Sequence, residues 1–135
     1  MPLKNNTLKY SFNCNPKFKS PNQIIIQSFC DKVFNFNKIN NVNVAFVFCS
    51  DNFLLNLKKK YFNKNQYTDV ITFQMIEDSN KSIEGEIYIS LDRALENSKV
   101  FKEPYEKEIT RLVIHGCLHL IGFDDQSFKE KQNMT

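Results

Sequence analysis

The chain has two histidines, His115 and His119, in a segment whose apolar spacing predicts a helix. At about 3.6 residues per turn, both imidazoles lie on one face of that helix, where they can bind the same metal ion. Gly122 predicts the end of the helix, so the reversing chain can bring a carboxylate of Asp124 or Asp125 to that ion. Two imidazoles and one carboxylate suit Zn²⁺ with a fourth position open to water. The pattern therefore predicts a metal site.

Two imidazoles at this spacing also occur by chance on half-apolar helices, bonded to backbone or water. The glycine and the two aspartates that follow favour the metal site over this alternative. Gly116 occupies the position at which zinc peptidases of the H-E-x-x-H type carry their general base, so a peptidase is disfavoured. Cys117 lies about 200° around the helix from His115. We expect it in the core, together with Cys30 and Cys49, and not at the metal.

The composition is that of one ordinary globular domain, with 41% hydrophobic and 24% charged residues over residues 1–135. The net charge of +3 permits contact with a polyanion without requiring it. Neither a membrane-spanning apolar run nor a secretory signal is visible, so we expect a cytoplasmic protein with no membrane partner. The cysteines form no C-x-x-C pair, which disfavours a disulfide framework and a cysteine-rich zinc knuckle. The sequence makes no prediction about oligomeric state.

The order of the hydrophobic patterns predicts an α+β fold in which one mixed sheet of about four strands is packed by helices. Strands are predicted at residues 8–12, 42–49, 68–75 and 86–91, the last two joined as a hairpin, and 42–49 is expected in the interior of the sheet. Helices are predicted to begin at Ser20, Asn52, Asp92 and Pro104.

The apolar residues of each helix predict the side that is buried. Ser20 is expected to cap the first helix. Its buried residues are expected to be Ile24, Ile25, Ser28, Phe29 and Val33. In the second helix they are Phe53, Leu54, Leu57 and Tyr61. In the last they are Tyr105, Ile109, Leu112, Val113, Gly116 and Leu120. The run Lys58–Lys60 is interpreted as a solvated helix face, with an RNA-facing patch as the alternative.

The segment His115-Gly-Cys-Leu-His119-Leu-Ile-Gly122-Phe-Asp124-Asp125 resembles the signature H-G-x-L-H-L-x-G-Y/F-D-H of the YbeY family. These are bacterial metal-dependent endoribonucleases that act in ribosomal RNA maturation. Residues 68–73 are similar to the family's T-D/N-V-L/I-S/T-F strand, and residues 85–90 to its G-D-I-x-I strand. The order and separation of the motifs agree from residue 8 to about residue 125.

The resemblance implies a zinc-dependent, single-strand-specific endoribonuclease that matures the 3′ end of the small-subunit (16S) ribosomal RNA. His115, His119 and Asp125 would bind the zinc ion, and Asp125 replaces the histidine that is usual in the family. The carboxylate makes the site more anionic, so another divalent metal is possible. The implied partners are ribosomal RNA and the small ribosomal subunit, and not DNA. The alternative is a ribosome-assembly or RNA-binding factor whose metal is mainly structural, and a zinc hydrolase of small molecules or peptides is disfavoured by Gly116.

Beside His115, the predicted catalytic residues are Asp69 and Arg111. Asp69 is either a carboxylate that handles the proton or a structural cap at the end of a strand. Arg111 either contacts phosphate or forms an ion pair with Glu106 or Glu108. Asp124 is expected to orient a ligand histidine.

Four further residues are predicted to bind substrate: Lys58, Lys60, Tyr67 and Thr72. Charge on the lysines and stacking on the tyrosine are suited to single-stranded RNA. Aligned on Tyr61, the chain departs from the family's L-N-x-x-Y-R segment. Lys58 stands at the position of the asparagine and Phe62 at that of the arginine.

Overall fold

A computed structural model describes residues 7–64, 68–79 and 82–122. The elements in chain order are β1 (Thr7–Cys14), α1 (Gln23–Phe36), β2 (Asn41–Cys49), α2 (Asp51–Phe62), β3 (Val70–Ser79), β4 (Ser82–Ser90), α3 (Leu91–Phe101) and α4 (Tyr105–Leu120). The predicted α+β class is confirmed. None of the helices in these ranges is long and apolar enough to cross a bilayer.

The four described strands form one mixed sheet in the order β1-β2-β4-β3. β2 pairs in parallel with both β1 and β4, while β3 and β4 form an antiparallel hairpin at the edge. The prediction that β2 lies in the interior of the sheet is confirmed. Its residues Val44, Phe46 and Phe48 are buried on one side, and Ala45 and Val47 are half-buried on the other.

The main core lies between one face of the sheet and the helices α1, α3 and α4. Phe46 and Ile87 from the strands and Leu112 from α4 are at its centre. The other face carries a smaller cluster of Cys49, Leu54 and Ile71, which among the described helices is covered by α2. All the described cysteines are free, and Cys30, Cys49 and Cys117 are buried as predicted.

The predictions for the start and the buried side of α1 are wrong. Asn22, not Ser20, is the N-cap, and its side chain accepts hydrogen bonds from the backbone N–H groups of Ile24 and Ile25. The buried residues are Ile26, Cys30 and Phe34, with Val33 packed beside them. Of the residues expected inside, those that are exposed are Ile24, Ile25, Ser28 and Phe29. Three consecutive isoleucines allow two apolar stripes on this helix, and packing of Cys30 against Cys117 of α4, with 3.7 Å between the sulfur atoms, selects one.

The prediction for α2 is correct in part. Leu54 is buried and Leu57 half-buried, but Phe53 and Tyr61 are exposed. The interpretation of Lys58 as a solvated residue is wrong, because it is only 7% exposed. Lys58 lies one turn after Leu54 and therefore on the same side of the helix, where its aliphatic part can cover apolar surface. Lys59 and Lys60 are exposed, as predicted.

Candidate active site

Helix α4 lies close to the hairpin of β3 and β4, and glycines stand at two points of close contact. A Cβ atom on Gly116 would be 2.7 Å from Cγ2 of Ile87 and 3.4 Å from Cγ1 of Val70. A Cβ on Gly85 of β4 would be 2.7 Å from Cδ1 of Leu120. The last turns of α4 are therefore held against the sheet. The predicted buried side of this helix is confirmed, except that Tyr105 is only half-buried.

The two histidines lie together on α4, as the spacing predicted. The ring centroids of His115 and His119 are 4.3 Å apart, with 36° between the ring planes. His115 is exposed, while His119 is half-buried and its Nε2 atom is shielded from solvent. Two imidazoles at this separation fit one metal ion bound at the surface of a helix.

The helix ends directly after the histidines. Its last residue is Leu120, and Gly122 has a φ of +101°, in the left-handed region that glycine adopts readily. The predicted third ligand, Asp125, and its neighbour Asp124 lie outside the described residues. Within the described ranges no three His, Cys, Asp or Glu side chains are grouped to hold a metal ion. The complete ligand set therefore stays a prediction.

Arg111 lies one turn before His115 and forms an ion pair with Glu108, one of the two interpretations offered by the sequence. Its Nε and Nη2 atoms donate to the two carboxylate oxygens of Glu108 at 2.9 and 2.6 Å. Asn97 of α3 donates to the same carboxylate at 3.0 Å. The Glu108 side chain is 3% exposed and that of Arg111 is 52% exposed. The guanidinium group therefore has one edge fixed by a buried carboxylate and another side open to solvent.

The pKa values of this pair follow from the contacts. Burial acts to raise the pKa of Glu108, but the hydrogen bonds from Arg111 and Asn97 outweigh it and lower the pKa below its ordinary value. The hydrogen bond to Glu108 raises the pKa of Arg111, against the effect of burial, and the charge of Asp69 raises it further. Both groups are charged at neutral pH.

Asp69 lies just before β3. Its backbone carbonyl accepts a hydrogen bond from the N–H of Ser90 at 3.0 Å, which ties the start of β3 to the end of β4. Its negative charge acts on both Lys58 and Arg111. Burial lowers the pKa of Lys58, Lys64 lowers it further, and Asp69 opposes this change. Asp69 thus lies at the end of a strand and near two cations, and both interpretations of it stay open.

The predicted substrate-binding residues lie in different surroundings. Thr72 is half-buried and pairs with Ile87, so it shares with Val70 the sheet face that α4 covers. Lys60 is exposed, and its ammonium nitrogen is 5.3 Å from the ring centroid of Tyr61. Tyr67 lies outside the described residues. The substrate roles of these residues stay predictions.

The sequence did not predict the polar contacts between the helix starts. Ser90 donates to Asp51 at 2.6 Å, Arg93 donates to the same carboxylate at 3.1 Å, and Asp92 accepts from the backbone N–H of Asp51 at 2.8 Å. These contacts join the N-termini of α2 and α3, and they fix the ends of β2 and β4 from which both helices begin. The available signal was a serine followed within two residues by an aspartate at the end of each of two apolar strands.

The fold and the site define a class: a small α+β protein with a four-stranded mixed sheet and a histidine pair near the end of one helix. The model of the Endoribonuclease YbeY family matches residues 11–135, so the chain belongs to this family. Its members are endoribonucleases, and the chain is accordingly an enzyme that cuts RNA internally, as the resemblance of its motifs implied.

Individual relatives agree with this assignment. The chain is 41% identical over 125 residues to Endoribonuclease YbeY of Amoebophilus asiaticus, covering 93% of this chain and 84% of the relative. It is 48% identical over 90 residues to that of Karelsulcia muelleri, covering 67% of this chain and 62% of the relative. A Thermotoga maritima protein whose structure was determined in solution superimposes with a TM-score of 0.59 at 25% identity, covering 93% of this chain and 85% of the other.

Proposed function

We propose that the chain is a zinc-dependent endoribonuclease that cuts single-stranded RNA and matures the 3′ end of 16S ribosomal RNA in the cytoplasm, during assembly of the small ribosomal subunit. The observation that carries the proposal is the pair of imidazoles 4.3 Å apart on α4, in a chain of the YbeY family. His115, His119 and Asp125 would bind the ion. A metal with a stronger preference for oxygen is an alternative because of Asp125.

When bound, zinc would supply a water of lowered pKa and polarise a phosphoryl oxygen. The chain's own residues would position the RNA around it. The Nη1 group of Arg111, which is not used in the two bonds to Glu108, would donate to a phosphate oxygen of the substrate. Asp69 would accept a proton close to this arginine. Gly116 keeps α4 against the sheet, so the histidines stay next to the start of β3.

RNA cleavage by histidine variants tests the proposal. We expect His115→Ala and His119→Ala each to reduce cleavage of a single-stranded RNA at least about 100-fold, the size of effect found when groups that activate a nucleophile are lost. A duplex of the same sequence should be cut poorly by the wild type. Lys107→Ala is the matched control on the same helix, because Lys107 is exposed and pairs only with Glu103 at 3.0 Å in the described contacts. Full activity in both histidine variants would refute the proposal.

The ribosomal substrate requires its own test. Precursor small-subunit particles that carry an extended 16S 3′ end are incubated with the purified protein, and the 3′ ends are mapped. We expect the extension to be shortened to the mature end by the wild type and left intact by His119→Ala. Cleavage of free RNA without shortening of the precursor would confirm the nuclease and refute the ribosomal assignment.

A second function is supported by the state of the cations near the histidines. One edge of the Arg111 guanidinium group is bonded to Glu108, and Lys58 is buried. Neither cation is therefore fully open to a substrate phosphate. A ribosome-assembly or RNA-binding factor with a mainly structural metal fits this arrangement. For such a protein, His115→Ala would bind RNA with the affinity of the wild type, and the wild type would cut RNA no faster than this variant. Removal of the metal would lower its unfolding temperature.

A further inference from the structure

Five aromatic side chains form a connected group where α2 packs on the hairpin: Phe53, Tyr61 and Phe62 of α2, Phe73 of β3 and Tyr88 of β4. We call this group the aromatic ladder. The ring centroids of Phe53 and Tyr88 are 6.1 Å apart, and those of Tyr88 and Phe73 are 5.7 Å apart. Phe73 in turn lies 5.4 Å from Tyr61 and 5.9 Å from Phe62. The five rings therefore form one connected series of contacts that extends outward from the sheet.

The outer members of the ladder are open to solvent. Phe53 is 46% exposed, Tyr61 is 57% exposed and Phe62 is 41% exposed, whereas Phe73 and Tyr88 are half-buried beneath them. Exposed apolar rings grouped on one side of a protein are typical of an interaction site. Each outer ring already packs against another ring. Stacking of a partner on an outer ring therefore costs little additional freedom of that side chain.

The charges around the ladder identify the kind of partner. Lys59 and Lys60 are exposed beside it, and the ammonium nitrogen of Lys60 lies 5.3 Å from the centroid of Tyr61. The acidic residue of α2, Asp51, lies two residues before Phe53, and its charge is paired with that of Arg93. The nearby Glu86 accepts a hydrogen bond from the hydroxyl of Tyr88 at 2.8 Å. Flat rings bordered by lysines bind the bases and the phosphates of a single-stranded nucleic acid.

Charged residues lie between one end of the ladder and the helix that carries the histidines. The ammonium nitrogen of Lys58 lies 5.8 Å from the centroid of the Phe62 ring. Lys58 is in electrostatic range of Asp69, which is in turn in range of Arg111, one turn before His115. The Phe62 end of the ladder is therefore the end that lies toward Asp69 and Arg111.

We propose that the aromatic ladder, with Lys59 and Lys60, is a track for single-stranded RNA that holds the substrate beside the histidine site. Bases stack on Tyr61 and Phe53, and the lysines contact phosphates. The proposal rests on the proposed function, since it assigns a binding surface to the same RNA substrate.

Fluorescence anisotropy with a labelled, 2′-O-methylated single-stranded RNA of about a dozen nucleotides tests the track. We expect Tyr61→Leu to bind about tenfold more weakly and Tyr61→Phe to bind as the wild type, because the ring and not the hydroxyl makes the stack. Lys60→Gln should reduce the salt dependence of binding by about 0.7 in log–log slope, the value for one lost phosphate contact. The matched control is Phe36→Leu on α1, which removes a ring that is 85% exposed and lies outside the ladder.

Cleavage separates the track from the nuclease itself. We expect Tyr61→Leu to lower kcat/KM for the long RNA through KM, and to lower it less for a trinucleotide, which has fewer bases to stack on the ladder. Thermal midpoints of Tyr61→Leu and Phe36→Leu that equal the wild-type midpoint establish that the fold is intact. Wild-type cleavage with unchanged RNA binding in Tyr61→Leu would overturn the track alone and leave a protein partner as the occupant. A wild type that neither binds nor cuts RNA would overturn the proposed function and the track with it.

Discussion

Removal of Arg111 should destabilise the protein much more than its position on an exposed helix turn suggests. The Arg111→Ala variant leaves the buried carboxylate of Glu108 with Asn97 as its one remaining described donor. Two charge-assisted hydrogen bonds are lost, each worth about 1.5–3 kcal/mol in net stability. The half-exposed guanidinium reduces the value of the pair in the wild type. We therefore expect a loss of about 2–4 kcal/mol in the free energy of unfolding at neutral pH.

The same reasoning predicts how this loss depends on pH. In the wild type the pKa of Glu108 is below its ordinary value, so its contribution is present at neutral pH and is lost as the pH falls through that lowered pKa. Without Arg111, we expect burial to dominate and to raise the pKa of Glu108 above its ordinary value. Mild acidification then protonates Glu108 in the variant and removes the destabilising buried charge. Both effects reduce the difference between the two proteins, which should be largest near pH 7 and smaller near about pH 4.5.

Urea unfolding at these two pH values measures the effect. Lys107→Ala is the control, because the Lys107 and Glu103 side chains are 68% and 42% exposed and their ion pair should contribute less than about 0.5 kcal/mol. Glu108→Gln should cost less than Arg111→Ala, about 1 kcal/mol, because it leaves a half-exposed guanidinium that water can solvate and no buried charge. An Arg111→Ala loss no greater than that of Lys107→Ala, or a loss that grows on acidification, would refute the reasoning.

Two further substitutions test the packing around the site. Gly116→Ala should lower the free energy of unfolding by about 1–3 kcal/mol, because its Cβ would be 2.7 Å from Cγ2 of Ile87 and the clash outweighs the gain of about 1 kcal/mol in helix propensity. A raised thermal midpoint in this variant would show that α4 is not held against the sheet. Leu54→Ala should cost about 2–5 kcal/mol in urea unfolding and leave zinc content unchanged, since Leu54 lies on the opposite face of the sheet from α4. Reduced zinc content in the folded variant would contradict that separation.

The strands and the last helix were predictable because their patterns are unambiguous. β2 is apolar on both sides, as is expected of a strand in a sheet covered on both faces, and α4 has one continuous buried side that ends near a glycine. The positions of His115 and His119 on one face followed from the spacing alone.

The buried sides of α1 and α2 were not predictable in the same way. In α1, Ile24 and Ile26 belong to two stripes of similar hydrophobicity, and only the packing of Cys30 against α4 decides between them. In α2, a lysine is buried while Tyr61 is exposed, because only a narrow side of this helix contacts the sheet. Such outcomes depend on tertiary contacts that no local pattern contains.

The hydrogen bonds that position Arg111 show the same limit. Glu108 was one of two acidic residues at a suitable distance along α4, and the sequence did not distinguish it from Glu106. Asn97 comes from a different helix, α3, so its contribution depends on how α3 and α4 pack. Long-range polar contacts of this kind are determined by the assembled fold.

The metal content of the purified protein tests whether the two histidines and Asp125 bind a zinc ion. Elemental analysis of the purified wild type, in parallel with His119→Ala, Asp125→Ala and the control Lys107→Ala, reports how many zinc ions each protein holds. We predict one equivalent in the wild type and the control, a large loss in His119→Ala and a clear reduction in Asp125→Ala. A wild type that holds no divalent metal after purification without chelators and after incubation with zinc would contradict this prediction.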